Sequence, residues 1–509
     1  MMKISNIDFG PVDARHAFTH SDFDENIFSR VFIDPMGVDI HDLEKGRRSF
    51  VYGIKGSGKS AILKYLEIKL RNSCETRFVY FSDSIREVWQ QKKQSLELPT
   101  AEVSDIGNPE EYWRSFLFIL IAKIIFEGKG AINKRFLEFV RRQATHSPGS
   151  HLDKIIRKAP TVQTWMAEIG SSAKAKLDGS FEEIVSADHF FSSAISLLGE
   201  KKLQRKIFVF VDELELVYSN QKQFQKDVEL ASALVRVIRD LNEAFRKHKI
   251  DIFICCAVRK EISDRILGGD ASKIIADLGM EVTWERPSWS HDDPDYIHPL
   301  FQIALRRIFF SENAPTKSFG KSEIEEVKGK YFPFYRSGGR GSKGTQAEIL
   351  DLTTYRPRDI SILFNTAKKI DKERNSFRQE TFRRLIRKPL KDALWRDFSE
   401  GLRAEFSQHQ IDLLARVLDR LPERFNFSDF KRAIDDFSQD PEMVKIIDLY
   451  DDSKWAEILK ELYKLGALGN VEKGEKISER YKFFFRGYTS GLILANSVDI
   501  IKQKALVEA

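Results

Sequence analysis

The chain has 509 residues, 31% of them charged and 42% hydrophobic, a globular composition with room for roughly three domains. Its 82 basic and 76 acidic side chains leave a net charge of +6, which excludes a strongly basic nucleic-acid coat. Three cysteines, Cys74, Cys255 and Cys256, the last two adjacent in an apolar run, suit buried thiols in a reducing compartment and argue against disulfides or a zinc-thiolate site.

Residues 1–46 are polar and irregular, with Phe23, Ile27, Phe28, Val31 and Phe32 as the expected contacts onto the next domain. The opening residues run into Asp8, Asp13 and His16 instead of an apolar core, so no signal peptide is expected and the protein is expected in the cytoplasm. The longest apolar run, 116–126, is interrupted by Lys123 and falls short of the ~20 residues that span a bilayer, which makes it a buried helix and excludes a membrane anchor.

The segment Gly53-Ile54-Lys55-Gly56-Ser57-Gly58-Lys59-Ser60 meets the full G-x-x-x-x-G-K-S requirement of a phosphate loop. A short apolar run at 48–52 precedes it, and Ile62, Leu63, Leu66 and Leu70 follow at helical spacing, so strand, loop and helix come in the required order. Glycines let the backbone amides turn inward around phosphate oxygens at a helix N-terminus that favours anions. Lys59 then reaches the β- and γ-phosphates and Ser60 holds Mg²⁺; Lys55, Ser57 and Ala61 complete the loop. A second Gly320-Lys321-Ser322 lacks both the earlier glycine, since Pro315 stands there, and a preceding strand.

Residues 77–81 predict a second strand, closing a β-α-β unit. From about 84 to 202 the pattern is a helical insertion, opening clearly at Asn108-Pro109-Glu110-Glu111, with a stretch at 147–180 expected to be exposed or mobile. The sheet resumes at 207–211, which ends in Asp212 and Glu213. At such a strand end Asp212 is placed to join Ser60 on Mg²⁺, and Glu213 to polarise the water that attacks the γ-phosphate. An amphipathic helix through Val228, Val235 and Phe245, a buried strand at 250–258 and a further strand near 280–284 complete the α/β domain, 47–286. Arg259, just past the 250–258 strand, reads either as a γ-phosphate contact or as an ordinary charged helix start.

Residues 287–406 read as a helical lid domain interrupted by a basic loop at 336–344. Within it Thr354-Tyr355-Arg356-Pro357-Arg358-Asp359 opens a helix; the residues alone favour a cap with solvated arginines over contact with a nucleotide. Helices at about 409–419, 427–437 and 453–465, followed by strand runs near 468–471 and 481–486, predict a winged-helix domain over 407–500.

The Tyr52–Ile62 run, Val211-Asp212-Glu213-Leu214-Glu215, the Arg356-Pro357-Arg358-Asp359 helix start and Leu462-Tyr463-Lys464-Leu465-Gly466-Ala467-Leu468-Gly469 together resemble a bacterial P-loop ATPase family similar in architecture to the STAND and Orc/Cdc6 branches of AAA+ ATPases. The resemblance spans about 45–490, apart from the helical insertion and the basic loop; the wide spacing between the phosphate loop and Asp212 departs from simple AAA+ modules. It implies ATP as ligand, a sensor 1-like Arg259, a sensor 2-like Arg356 or Arg358, and relatives in antiviral defence or DNA transactions.

The predicted third helix of the winged helix carries Lys454, Glu457, Lys460, Glu461 and Lys464, a mixed-sign face that argues against DNA binding. Arg383, Arg384, Arg387, Lys388 and Lys391 form the better basic candidate, although a solvated helix face explains them more simply. The expected function is an Mg²⁺-dependent ATPase acting as a nucleotide-driven switch, assembled as a homo-oligomer or on a partner protein, with Arg306 or Arg307 as candidate fingers for a neighbour's site. The alternatives are a non-turnover scaffold and a DNA-stimulated ATPase.

Overall fold

The computed structural model of the protein describes residues 2–12, 23–80, 109–128, 133–146, 187–212, 221–260, 270–284, 296–337, 344–403, 406–437, 452–473, 479–484 and 491–507. Two short helices open the chain, each started by an aspartate whose carboxylate accepts from the first free amides. Asp24 caps α1 (Glu25–Val31) and Asp39 caps α2 (Ile40–Glu44). Phe28 and Val31 are buried as expected, and Phe32 stacks on Tyr65 with ring centroids 4.0 Å apart. Further upstream, Ile4, Ile7 and Phe9 are also buried, a contact the sequence did not suggest.

β1 (Phe50–Gly53) leads through the glycine-rich loop into α3 (Lys59–Leu70), and β2 (Cys74–Tyr80) follows. Next come α4 (Pro109–Glu127), α5 (Lys134–His146) and α6 (Ala187–Gly199), and then β3 (Lys206–Asp212), α7 (Gln221–Lys247), β4 (Ile252–Arg259), α8 (Asp270–Leu278) and β5 (Gly279–Glu281). The five strands pair in parallel in the order β2-β3-β4-β1-β5. The chain therefore leaves β1 toward one edge and leaves β4 toward the other. Because such crossovers are right-handed, their helices cover opposite faces. α3 packs on the face of Phe208, Phe210 and Cys255, whereas α4, α7 and α8 pack on that of Val209, Val211 and Cys256. The change of direction falls between β1 and β4, where a parallel sheet opens a crevice at its carboxyl ends.

Part of the expected insertion is core. Every residue of α4 from Ser115 to Ile125 is buried, and Trp113 donates its indole N–H to the Leu230 carbonyl of α7 at 2.9 Å. Lys123 is buried among these apolar residues and reaches Glu127 at 3.1 Å, which supplies the partner a buried ammonium needs. The stretch 147–180 lies outside the described residues.

A helical layer follows: α9 (Pro299–Glu312), α10 (Lys321–Tyr331), α11 (Thr345–Leu350), α12 (Pro357–Ile370), a π-helical turn at Thr381–Leu385, and α13 (Arg387–Leu402). Phe332, Phe364, Phe377 and Phe382 pack ring to ring at its centre. At the second Gly-Lys-Ser, the Glu323 carboxylate accepts from the Gly320 amide at 2.8 Å, so the helix start already holds its own acid.

The last elements are α14 (Gln408–Arg420), β6 (Arg424–Phe425), α15 (Phe427–Asp435), α16 (Asp452–Lys464), β7 (Leu468–Lys473), β8 (Glu479–Phe483) and β9 (Ile500–Lys502). The strands form an antiparallel sheet in the order β6-β9-β7-β8. The three helices and the β7–β8 pair match the expected elements, while β6 and β9 were not foreseen; the turn around Gly474 and the boundary at 286–287 lie outside the described residues. Among the described residues no helix is long and apolar enough to cross a membrane.

Candidate functional site

The phosphate loop begins at Gly53, the last residue of β1, and ends where α3 starts at Lys59. Gly56 and Gly58 hold φ angles of 81° and 100°, the left-handed region that side chains resist, and these turns wrap the backbone around the helix start. The Lys59 ammonium bends back to donate to the Gly53 and Ile54 carbonyls at 2.8 and 2.9 Å. Ser60 and Ala61 follow within the first turn of α3.

One feature outside the motif fixes the loop. Trp284, just beyond β5, donates its indole N–H to the Ser57 carbonyl at 2.8 Å. The Ser57 hydroxyl is buried and has no hydrogen-bond partner among the described residues, which fits a hydroxyl awaiting a ligand oxygen.

Asp212 ends β3, nearly fully buried, and Arg259 ends β4 in register with Gly53. Parallel pairing thus brings the loop, Asp212 and Arg259 together at the carboxyl end of the sheet. Cys256, opposite Val211 on β4, is pushed well above the usual thiol range by burial first, then by Cys255 and the Asp212 charge; burial pushes Cys255 up to about 12. Both thiols, like Cys74, are free and buried, as the sequence indicated. Glu213 lies outside the described residues.

The α12 start lies directly on the loop. Tyr355, buried, takes a φ of 54°, a costly conformation for an aromatic residue, and the next residue turns onto the loop. Arg356 is buried and donates from Nη1 to the Lys55 carbonyl at 3.1 Å. The same guanidinium meets Asp359 at 2.8 Å and Asp397 of α13 at 2.7 Å. Asp359 also accepts from the Thr354 amide and hydroxyl, which fixes the turn. Arg358 donates its amide to the Gly56 carbonyl at 3.4 Å and its guanidinium to Asp397 at 3.2 Å. A methyl group on Gly56 would come within 2.9 Å of the Arg358 side chain, so glycine is required there twice over.

Lys55 closes the cluster, with its ammonium 3.9 Å from Asp397 and in contact with Glu400. Burial pushes the Asp397 carboxyl up, but Arg356, Arg358 and Lys55 outweigh it and hold the group below the usual aspartate range. Burial pulls Arg356 down while Asp359 and Asp397 raise it beyond its usual range, so the cation persists at any working pH.

The arginines that the residues alone read as solvated, and the resemblance as sensor-like, form a buried clamp between α12, α13 and the loop. Asp397 and Glu400 carried no signal in the sequence: they are two of several acids on an amphipathic helix, and only the fold brings them to Lys55. Trp284 was visible as the end of a strand run but not as a loop contact.

The other charged candidates are engaged within the chain. Arg306 donates to the Arg30 and Phe32 carbonyls at 2.8 and 3.0 Å, and Arg307 lies 3.5 Å from Asp8. In the basic run, Arg384 pairs with Glu380, Arg383 with Glu348 and Lys391 with Asp419, so most of its charge is answered locally.

No protein-family model and no curated protein matches the chain. Among solved structures it is similar to Cdc6p from Pyrobaculum aerophilum, at 12% identity and a TM-score of 0.30, over 90% of this chain and 93% of that one. It is also similar to the Orc1 protein of Aeropyrum pernix in complex with DNA, at 12% identity and a TM-score of 0.33, over 92% of each chain. At these scores the likeness carries no statement about ligand, partner or activity.

Proposed function

We propose that the chain is a P-loop ATPase of AAA+ type that uses bound ATP to set the position of its helical lid. The observation that carries this reading is the clamp: Arg356 and Arg358 hold the carbonyls of Lys55 and Gly56, two residues of the phosphate loop itself. A ligand seated in that loop acts on the lid without any intermediary. The left-handed glycines, the buried Ser57 hydroxyl and the Lys59 ammonium at the head of α3 support a phosphate ligand.

Ser60 and Asp212 supply the hard oxygen donors that suit Mg²⁺. The metal, when bound, neutralises charge on the β- and γ-phosphate oxygens. In this reading Lys59 exchanges its two carbonyls for phosphate oxygens, Glu213 orients the attacking water, and Arg259 meets the γ-phosphate beside Gly53. Arg358, less buried than Arg356 and bound to one oxygen of Asp397, is the sensor arginine, while Arg356 positions the lid.

We read the C-terminal helices and antiparallel strands as a winged helix used for packing. α16 supports this, because Trp455, Leu459 and Leu462 are buried and Lys464 pairs with Glu461 at 2.6 Å on the other face. The extension to antiviral defence or DNA transactions rests on the family resemblance alone.

The test is ATP turnover and binding in wild type, Lys59→Ala and Glu213→Gln. Wild type should hydrolyse ATP, Lys59→Ala should lose binding, and Glu213→Gln should bind but slow turnover by about 100-fold or more. A wild-type rate equal to that of Lys59→Ala would leave the non-turnover scaffold, and a rate seen only with DNA would select the DNA-stimulated enzyme.

A further inference from the structure

A cavity of about 180 Å³ lies far from the phosphate loop in sequence, between the π-helical turn, α11 and the segment after β9. Its floor is apolar, from Phe334, Ile349 and Phe382, and its rim carries Arg383, Arg387 and Lys504. One carboxylate, Glu348, lines it, and a single oxygen of that carboxylate is shared between Arg336 at 2.7 Å and Arg383 at 3.4 Å.

Arg387 pairs directly with no acid among the described residues. Half-buried at the rim, it donates to two carbonyls, those of Lys504 at 2.5 Å and Arg383 at 3.3 Å, and no carboxylate lies within ion-pair distance among the described residues. Burial holds its guanidinium below the usual range, with Glu423 and Asp351 too far to restore it fully. A partly desolvated cation without a bonded anion is costly, and a guanidinium fork matches phosphate and carboxylate oxygens. Gln379 adds an amide to the same wall. The π-helical turn that places Arg383 is itself a rare geometry that clusters at functional sites.

We propose that this cavity binds a small phosphate monoester, with the phosphate on Arg383, Arg387 and Lys504 and the organic part over Phe334, Ile349 and Phe382. A phosphate is favoured over a carboxylate because the rim offers donors from three side chains, which three terminal oxygens satisfy and two do not. The cavity is also larger than a bare anion needs, and its floor offers nothing to an ion alone.

The experiment is isothermal titration of the full chain with phenyl phosphate, inorganic phosphate, benzoate and phenol at constant ionic strength. Phenyl phosphate should bind saturably at millimolar concentration, inorganic phosphate more weakly, and phenol not at all. Arg387→Gln should weaken phenyl phosphate by about tenfold or more, the scale of one charge-assisted hydrogen bond. Arg383→Gln changes an exposed side chain, keeps the test valid if Arg387→Gln does not fold, and should weaken binding in the same direction. Lys59→Ala should leave binding unchanged. Absence of saturable binding, or binding unaffected by both arginine variants, overturns the proposal. Loss in Lys59→Ala assigns the binding to the phosphate loop instead, and benzoate binding tighter than phenyl phosphate overturns the choice of phosphate.

Discussion

Asp397 shows what a single carboxylate does once the fold has placed it. It faces Arg356 at 2.7 Å, Arg358 at 3.2 Å and Lys55 at 3.9 Å, so it joins the lid arginines to the loop's own lysine. Buried pairs are expensive to break because the remaining charge stays desolvated. Asp397→Ala is therefore expected to cost about 3–5 kcal/mol in urea denaturation and to raise hydrogen exchange across residues 53–60. The carboxyl lies below its ordinary value of 3.8 in the folded chain, so its contribution is fully present above that value and is lost as pH falls through the folded one. Acidification from about pH 5 to about pH 3 should thus destabilise wild type more than Asp397→Asn, and equal losses would remove the clamp from the account.

At the scale of elements, the loop and the sheet were legible because their signals are local. Strand runs ending in Gly53, Asp212 and Arg259 carry their own pattern, and parallel pairing then fixes where those ends meet. The N-terminal strap was not legible. Ile7, Phe9 and Gly10 offer their carbonyls to Lys368, Ser361 and Asn365 of α12, and Phe9 stacks on Phe364 with centroids 5.1 Å apart. Nothing near residue 9 announces a partner so far along the chain, just as nothing near β6 announces β9. Phe9→Ala removes a buried ring that packs under α12 and is expected to cost about 3–5 kcal/mol. The loss should show in thermal denaturation together with faster proteolysis of the lid.

Across the whole molecule, the segments near residues 7 and 503 meet at α12 and the turn before it. Gln503, just after β9, donates to the Asp351 and Thr353 carbonyls at 3.0 Å each, and so buttresses the turn that aims Arg356 at the loop. Arg306 and Arg307 both make contacts within the chain. If a neighbouring copy completes the site with some other residue, ATPase activity per molecule should rise with protein concentration. A rate independent of concentration over a hundredfold range, by about 10² in dilution, would mark the single chain as sufficient. On the ribosome the strap is made long before the residues that hold it. Its hydrogen-bond partners stand 352 to 361 residues downstream. At roughly 5–20 residues per second, the nascent strap waits about 20–70 s for the helix that covers Phe9. During that interval Ile4, Ile7 and Phe9, buried in the folded chain, stand ready for whatever chaperone reaches them first.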